Sequence, residues 1–195
     1  MTNLSDLFPA GAGKQVSFVA DGAISAAGKP VVLTAAGKVA EVSGSSDALG
    51  TATNFTATSV YPNYINSSYD SNAGKVVVFY KGTSGYLSAA VATLSGTSIS
   101  FGTSVVANST SSTWISSSYD SVAQKIVVSW DESGVGKAIV GTVSGTSISF
   151  GAETTFQASG VYHTNCVYDT NADKTVIAYR DSADSNNGKA IVGTV

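Results

Sequence analysis

Three ring-bearing residues recur along the chain at intervals of about 49 residues. They are Tyr64, Trp114 and His163, and His163 is the single histidine among 195 residues. A catalytic histidine needs a partner that orients it, and the neighbouring sequence implies none. Aromatic rings instead offer flat apolar faces on which the C–H faces of sugars stack. The three residues are therefore predicted to be either structural ring positions or a set that contacts glycans.

Acidic residues at one turn have the spacing of a calcium loop. Residues 169–173 read Asp-Thr-Asn-Ala-Asp, and Ca²⁺ loops place oxygen ligands at such alternate positions. The corresponding segments at 70–74 and 120–124 have fewer oxygen ligands, and no glutamate follows at the distance found in EF-hands. We interpret all three segments as hairpin turns in which the first aspartate accepts hydrogen bonds from nearby backbone N–H groups. No metal site and no cofactor are predicted.

Other reactive residue types lack the partners that catalysis needs. Cys166 takes the repeat position of Ser67 and Ser117, which favours a small buried residue over an activated thiolate. The aromatic residues Tyr80, Trp130 and Tyr179 also recur together, and we interpret them as packing positions. No phosphate-binding, serine-hydrolase or zinc-protease motif occurs. The chain is therefore predicted not to be an enzyme.

Composition argues against several classes of partner. Charged residues make up 12% of the chain and the net charge is −3, so the basic surface that nucleic-acid binding requires is missing. One cysteine excludes an internal disulfide, and one cysteine with one histidine excludes a zinc site of those ligands alone. No apolar run approaches the ~18 residues of a membrane span. Residues 1–11 do not resemble a signal peptide, so neither membrane insertion nor secretion by this route is expected.

The rings belong to a long internal repeat. Residues 95–102 recur unchanged as 144–151, and residues 136–143 recur unchanged as 188–195. Each unit is predicted to form four strands, of which the first has small residues, the middle two are apolar, and the last alternates. The third unit stops after its third strand. A unit of about 40–50 residues with four strands is typical of a β-propeller blade.

This pattern predicts an all-β chain with two parts. Residues 1–42 are predicted to be a β arm or anchor, with short strands over 15–20, 30–34 and 38–42. Residues 43–195 are predicted to be a β-propeller-like repeat domain. Its units span about 54–103, 104–152 and 153–195, and residues 43–53 provide a possible closing strand. Two alternatives remain open: a pseudo-threefold, trefoil-like β fold, and a polypeptide that continues past Val195 with more blades.

Two stretches of sequence carry a resemblance to phage proteins. Residues 7–22, Leu-Phe-Pro-Ala-Gly-Ala-Gly-Lys-Gln-Val-Ser-Phe-Val-Ala-Asp-Gly, followed by Gly-Lys-Pro-Val-Val-Leu at 28–33, are similar to the start of structural proteins of marine tailed phages, including cyanophages. The repeat, with its Tyr-Asp, Lys-Val-Val-Val and Ser-Gly-Thr-Ser-Ile-Ser-Phe-Gly elements, resembles repeats in virion proteins of the same phages. The resemblance implies a tail fibre, or a capsid decoration or head-fibre protein.

The resulting expectation is a bacteriophage virion structural protein. It would be assembled in the host cytoplasm, displayed on the virion surface as a homo-oligomer, and held by other capsid or tail proteins. Its expected role is assembly and attachment to host-surface glycans, with Tyr64, Trp114 and His163 as the contact residues. The alternative is a lectin-like, glycan-binding β-propeller module that is not confined to phages.

Overall fold

The structure is a computed structural model that describes residues 19, 20, 22, 31–41 and 49–195. The chain divides into two compact units, Met1–Ala48 and Leu49–Val195. The strand predicted over 15–20 and the start of the predicted closing strand at 43–53 lie largely outside the described residues. The predicted boundary after residue 42 lies there as well.

The described part of the first unit contains one small sheet. Strand β1 (Val31–Leu33) pairs antiparallel with β2 (Val39–Glu41). The turn between them contains Gly37 at a φ of 74°, a conformation that glycine adopts without steric cost. The N–H of Gly37 donates to the carbonyl of Thr34 at 3.0 Å. The strands predicted over 30–34 and 38–42 are thereby confirmed.

The second unit consists of antiparallel sheets, none of which closes into a barrel. No helix occurs in the described parts of the chain, which confirms the all-β prediction. The first sheet contains β3 (Val60–Asp70), β4 (Lys75–Gly82), β5 (Leu87–Ser95), β6 (Ser98–Phe101) and β7 (Val105–Asn108). The second contains β8 (Thr113–Asp120), β9 (Lys125–Glu132), β10 (Val135–Ser144), β11 (Ser147–Phe150) and β12 (Thr154–Gln157). The third contains β13 (Val161–Asp169), β14 (Lys174–Asp181) and β15 (Asn187–Gly193).

The first two sheets of the second unit have five strands instead of the predicted four, whereas the third has the predicted three. The first four strands of the first sheet follow one another in space, as do those of the second. However, β7 also pairs with β5, and β12 with β10. These fifth strands form because β6 covers β5 only from Ala92 to Ser95, which leaves the other end of β5 free for pairing. The prediction of four strands per unit missed them because a four-residue strand in a linker has little periodicity.

The hairpin between the first two strands of each sheet is closed by an aspartate. The carboxylates of Asp70, Asp120 and Asp169 each accept backbone N–H groups from two or three residues further on, at 2.8–3.1 Å. The bonds from Ala172 and Asn171 lower the pKa of Asp169. The interpretation of these segments as aspartate-capped turns is confirmed.

The main core cluster lies between the first and second sheets. It includes Phe79 and Val91 from the first sheet and Val128 and Trp130 from the second, all fully or almost fully buried. Tyr80 and Tyr179, which share the repeat position of Trp130, are buried too. The prediction that these aromatic residues serve packing is confirmed.

A smaller cluster contains Val127 of the second sheet together with Cys166 and Ile177 of the third. Burial raises the pKa of the Cys166 thiol to about 12, so the reactive thiolate is scarce at neutral pH. The prediction of a small buried residue at Cys166 is confirmed.

Candidate functional site

The structure brings the three predicted ring residues together. The ring centroids of Tyr64 and Trp114 are 5.7 Å apart with an interplanar angle of 90°. Those of Trp114 and His163 are 3.7 Å apart at 39°. Tyr64 and Trp114 are half-buried and His163 is exposed. We call these three residues the aromatic row.

The row exists because the first strands of the three sheets are neighbours. Strand β8 contacts β3 on one side and β13 on the other. Small polar residues link these strands, and the hydroxyl of Ser117 lies 2.7 Å from that of Ser68. On the other side, the N–H of Cys166 donates to the hydroxyl of Ser116 at 2.9 Å. Short side chains allow this close approach, which places residues of equal repeat position side by side.

Backbone irregularities direct two of the rings. The register of β8 against β9 shifts between Thr113 and Ser116, and that of β13 against β14 shifts between Tyr162 and Asn165. A β-bulge of this kind turns a side chain away from the regular ladder. Within the bulges, Trp114 has a φ of 52° and His163 a φ of 55°.

Positive φ values are costly for residues with large side chains. Each such conformation costs on the order of 1–3 kcal/mol, persists only where the surrounding structure enforces it, and occurs often at functional sites. The same backbone conformation recurs at the two equivalent rings, Trp114 and His163.

Two basic side chains lie on rings in the row or next to it in the chain, and neither was predicted from the sequence. The ammonium of Lys81 lies 5.0 Å from the ring centroid of Tyr61 and 5.4 Å from that of Tyr64. The guanidinium of Arg180 lies 4.7 Å from the ring centroid of Tyr162, the residue that precedes His163. Lys81 and Arg180 take the same repeat position, directly after the second strand's aromatic residue. This shared repeat position could have identified the two cations from the sequence.

The side chain of Arg180 contains a hydrogen-bond donor that has no partner within the described chain. This donor is Nε, which is buried. A buried donor without a partner is unfavourable. Lys81, in contrast, donates to the hydroxyl of Ser111 at 3.2 Å.

Two cavities lie away from the row, and its three residues line neither. A cleft of about 710 Å³ includes Phe55, Tyr80 and Phe101 in its lining. The ring centroid of Phe55 is 5.0 Å from that of Tyr80 and 6.0 Å from that of Phe101. A second, mainly apolar cavity of about 340 Å³ lies between the second and third sheets, beside β15.

The chemistry of the row suits binding better than catalysis. It offers aromatic faces, two flanking cations and hydroxyl groups, a combination that fits a polyhydroxylated ligand. Within the described ranges, no three His, Cys, Asp or Glu side chains come together as a metal site. The described residues also contain no helix of the length and apolar character that a membrane crossing requires.

No protein-family model matches this chain, and no curated protein matches its sequence.

Proposed function

We propose that this chain binds carbohydrates through the aromatic row. The observation that carries the proposal is the contact of three repeat-equivalent rings, with centroids 5.7 and 3.7 Å apart. Tyr64 packs against the main core cluster, whereas His163 at the other end of the row is exposed. The positive φ values of Trp114 and His163 support the proposal further, because strain is retained where a function needs it.

The row gives a ligand two kinds of contact. Sugar C–H faces stack on the rings of Trp114 and His163, while sugar hydroxyl or carboxylate oxygens accept hydrogen bonds from the flanking cations. Arg180, which lies on the ring of Tyr162 next to His163 in the chain, favours ligands with an acidic edge, whereas Lys81 is buried and donates to Ser111. Each contact is weak, so tight attachment would come from many copies engaging one surface.

Replacing the central ring tests this site. We expect Trp114→Ala to weaken glycan binding at least tenfold, about 1.4 kcal/mol, because Trp114 contacts both other rings. A glycan array identifies a ligand for the wild type, and titration calorimetry then measures both proteins. Tyr69→Ala is the matched control, since Tyr69 is an exposed aromatic residue outside the row. Unchanged affinity in Trp114→Ala, or no glycan binding by the wild type, would contradict the proposal.

The finer fold proposal is that the three sheets are blades of a β-propeller-like arrangement. It is supported by the spatial order of strands within the sheets and by the neighbouring first strands β3, β8 and β13. Small residues on those strands suit the crowded position near a propeller axis. The main core cluster lies between the faces of the first two sheets. Propeller blades pack in this way, whereas the pseudo-threefold, trefoil-like alternative does not explain it.

The biological setting that we propose is the surface of a tailed-phage particle. The chain would serve there as a tail fibre, or as a capsid decoration or head-fibre protein, and attach to host glycans. Support comes from the resemblance of residues 7–22, 28–33 and the repeat to phage structural proteins. A particle displays many copies, which suits a weak binding surface. The second candidate is a lectin-like module outside phages, which the aromatic row favours equally.

Immunogold electron microscopy distinguishes these settings. Antibody against residues 43–195 would be applied to purified particles of the phage whose genome encodes the chain. Label on the particle is expected: on the tail it indicates host attachment, and on the head it indicates decoration. Intact particles that stay unlabelled, while antibody to another structural protein labels them, would contradict the virion proposal and leave the lectin-like module.

A further inference from the structure

The repeat allows one corner of the three sheets to be compared residue by residue. Near the end of the second strand of each sheet, an aromatic residue lies opposite a residue of the third strand. These pairs are Tyr80 with Ser88, Trp130 with Lys137, and Tyr179 with Lys189. The side chains around the pair differ between the first sheet and the other two.

In the second sheet, charged side chains occupy this corner. The ammonium of Lys137 lies 2.9 Å from a carboxylate oxygen of Glu153 and 3.7 Å from one of Glu132. The amide of Asn108, which precedes the sheet in the chain, donates to the other carboxylate oxygen of Glu153 at 2.7 Å. The hydrogen bond from Lys137 lowers the pKa of Glu153, so the carboxylate stays ionised and paired.

The third sheet has an equivalent group. The ammonium of Lys189 lies 2.8 Å from a carboxylate oxygen of Asp181 and 2.9 Å from one of Asp184. The amide of Gln157, at the repeat position of Asn108, donates to the carboxylate of Asp181 at 3.4 Å. Both sheets therefore close this corner with a lysine, carboxylates and an amide.

The first sheet has small neutral residues at all of these positions. Ser88 takes the position of the two lysines, Gly82 that of Glu132 and Asp181, Ser104 that of Glu153, and Thr56 that of Asn108 and Gln157. The cleft of about 710 Å³ lies at this corner, and these four small residues are in its lining. We call it the first-sheet cleft. It is the space that charged side chains occupy in the other two sheets.

Hydroxyl groups line the cleft from its floor to its rim. Tyr80 and Ser88 are buried and form the floor, whereas Thr58 and Ser104 at the rim are exposed. The hydroxyls of Tyr80 and Ser104 hydrogen-bond to each other, and that of Thr58 lies 3.1 Å from that of Thr56. A hydroxyl can donate one hydrogen bond and accept two, so each pair keeps capacity for a ligand.

Aromatic rings form the apolar part of the lining. Phe55 and Phe101 are half-buried, with ring centroids 6.0 Å apart, and Tyr86 also lines the cleft. Flat rings beside hydroxyl groups suit a ligand that has both C–H faces and hydroxyls. A volume of about 710 Å³ is within the range of small-molecule sites.

The described residues that line the cleft include no Asp, Glu, Lys, Arg or His. A charged ligand group would lose hydration there without gaining a counter-ion, which is unfavourable. The lining therefore favours an uncharged ligand. In this respect the cleft differs from the aromatic row, where Arg180 favours an acidic edge.

We propose that the first-sheet cleft binds a neutral sugar unit. The sugar hydroxyls exchange hydrogen bonds with Thr56, Thr58 and Ser104, and a C–H face of the sugar lies on the ring of Phe55. This is a second site, which does not rest on carbohydrate binding by the aromatic row. One chain then has two sites with different preferences for ligand charge.

Amide NMR spectra of the full chain test the site. The probes are three neutral sugars, the methyl glycosides of glucose, galactose and mannose, and one acidic sugar, glucuronic acid. Each would be added to about 50 mM, which saturates even a millimolar site. We expect at least one neutral glycoside to shift the amide signals of Thr56, Tyr86 and Ser104, and glucuronic acid to leave them unchanged.

The positions of the shifts separate this proposal from the proposed function. Shifts confined to Trp114 and His163 would support the aromatic row and overturn the cleft proposal. Cleft signals that no neutral glycoside shifts, or that only glucuronic acid shifts, would overturn it as well.

A double variant closes the cleft with the pair that the second sheet contains. We expect Ser88→Lys with Ser104→Glu to weaken binding of the neutral glycoside roughly tenfold or more, because the paired side chains take the space of the sugar. Ser95→Lys with Ser98→Glu is the matched control, since these exposed serines lie opposite each other in the same sheet and outside the lining. Wild-type affinity in the cleft variant, or an equal loss in the control, would overturn the proposal.

Phe55→Leu provides a second variant that does not introduce charge. Leucine keeps an apolar contact with Tyr80 but removes the flat face on which the sugar stacks. We expect binding several-fold weaker than that of the wild type, with the amide spectrum showing that the chain is folded. Unchanged affinity in a folded Phe55→Leu protein would contradict the proposed stacking.

Discussion

Trp130→Ala is expected to lower the free energy of unfolding by about 3–5 kcal/mol, the usual cost of deleting a buried tryptophan ring. Trp130 is 0% exposed and lies in the main core cluster between the first and second sheets. Its removal leaves a cavity at a contact that both sheets share, so neither sheet can close the gap alone. The loss should therefore appear as destabilisation of the whole second unit.

Urea denaturation followed by far-UV circular dichroism measures this effect. Trp130→Phe is the control, because it keeps an aromatic ring and removes an indole N–H that has no hydrogen-bond partner within the described residues. We expect Trp130→Phe to lose less stability than Trp130→Ala, because the remaining ring leaves a smaller cavity. Equal stability of the two variants would mean that the first and second sheets do not pack through this ring.

Gly102→Ala is expected to destabilise the fold by about 1–3 kcal/mol, the cost of overpacking. The added Cβ would lie 1.8 Å from the carbonyl oxygen of Thr146. A carbonyl oxygen belongs to the backbone and cannot rotate away, so the linker after the first sheet must separate from the second.

The repeat itself provides the control for this change. Gly151 ends the second, identical octapeptide, but a Cβ there would meet its nearest atom, the carbonyl oxygen of Val140, at 3.8 Å. Gly151→Ala should therefore change the free energy of unfolding by less than about 0.5 kcal/mol, as at a surface position. Thermal unfolding of the two variants compares them directly. Equal destabilisation would show that local conformation, and not contact with Thr146, limits the position.

Much of the fold could be predicted from the sequence because each local pattern occurs three times at equal spacing. A single apolar run such as residues 75–80 is ambiguous, but three runs at equal spacing, each following a Tyr-Asp turn, indicate a hairpin. The burial of Trp130 and Cys166 followed from the same comparison, since residues at one repeat position share an environment. The candidate site was found this way too, as three rings at one position.

The remaining features depend on contacts that no local pattern records. Strands β7 and β12 form because their partners have a free end, which is a property of the finished sheet. The positive φ of Trp114 arises from a bulge between paired strands. The cations at Lys81 and Arg180 were missed because the intervening unit has Asp131 at that position. A basic residue is therefore shared by only the first and third units, and it does not stand out as a feature of the repeat.

Because β10 and β15 share a stretch of identical sequence, β9 has two candidate pairing partners during folding. In the unfolded chain, β9 meets two strands with the same sequence over six residues, at 136–141 and 188–193, so side chains alone cannot select between them. Chain closure can. Pairing β9 with β10 closes a turn of a few residues, whereas pairing it with β15 closes a loop of roughly 50, an entropic difference of about 2–3 kcal/mol. Short loops also close in well under a microsecond. The two-residue turn after β9 therefore favours pairing of β9 with β10 and leaves β15 to pair within the third sheet.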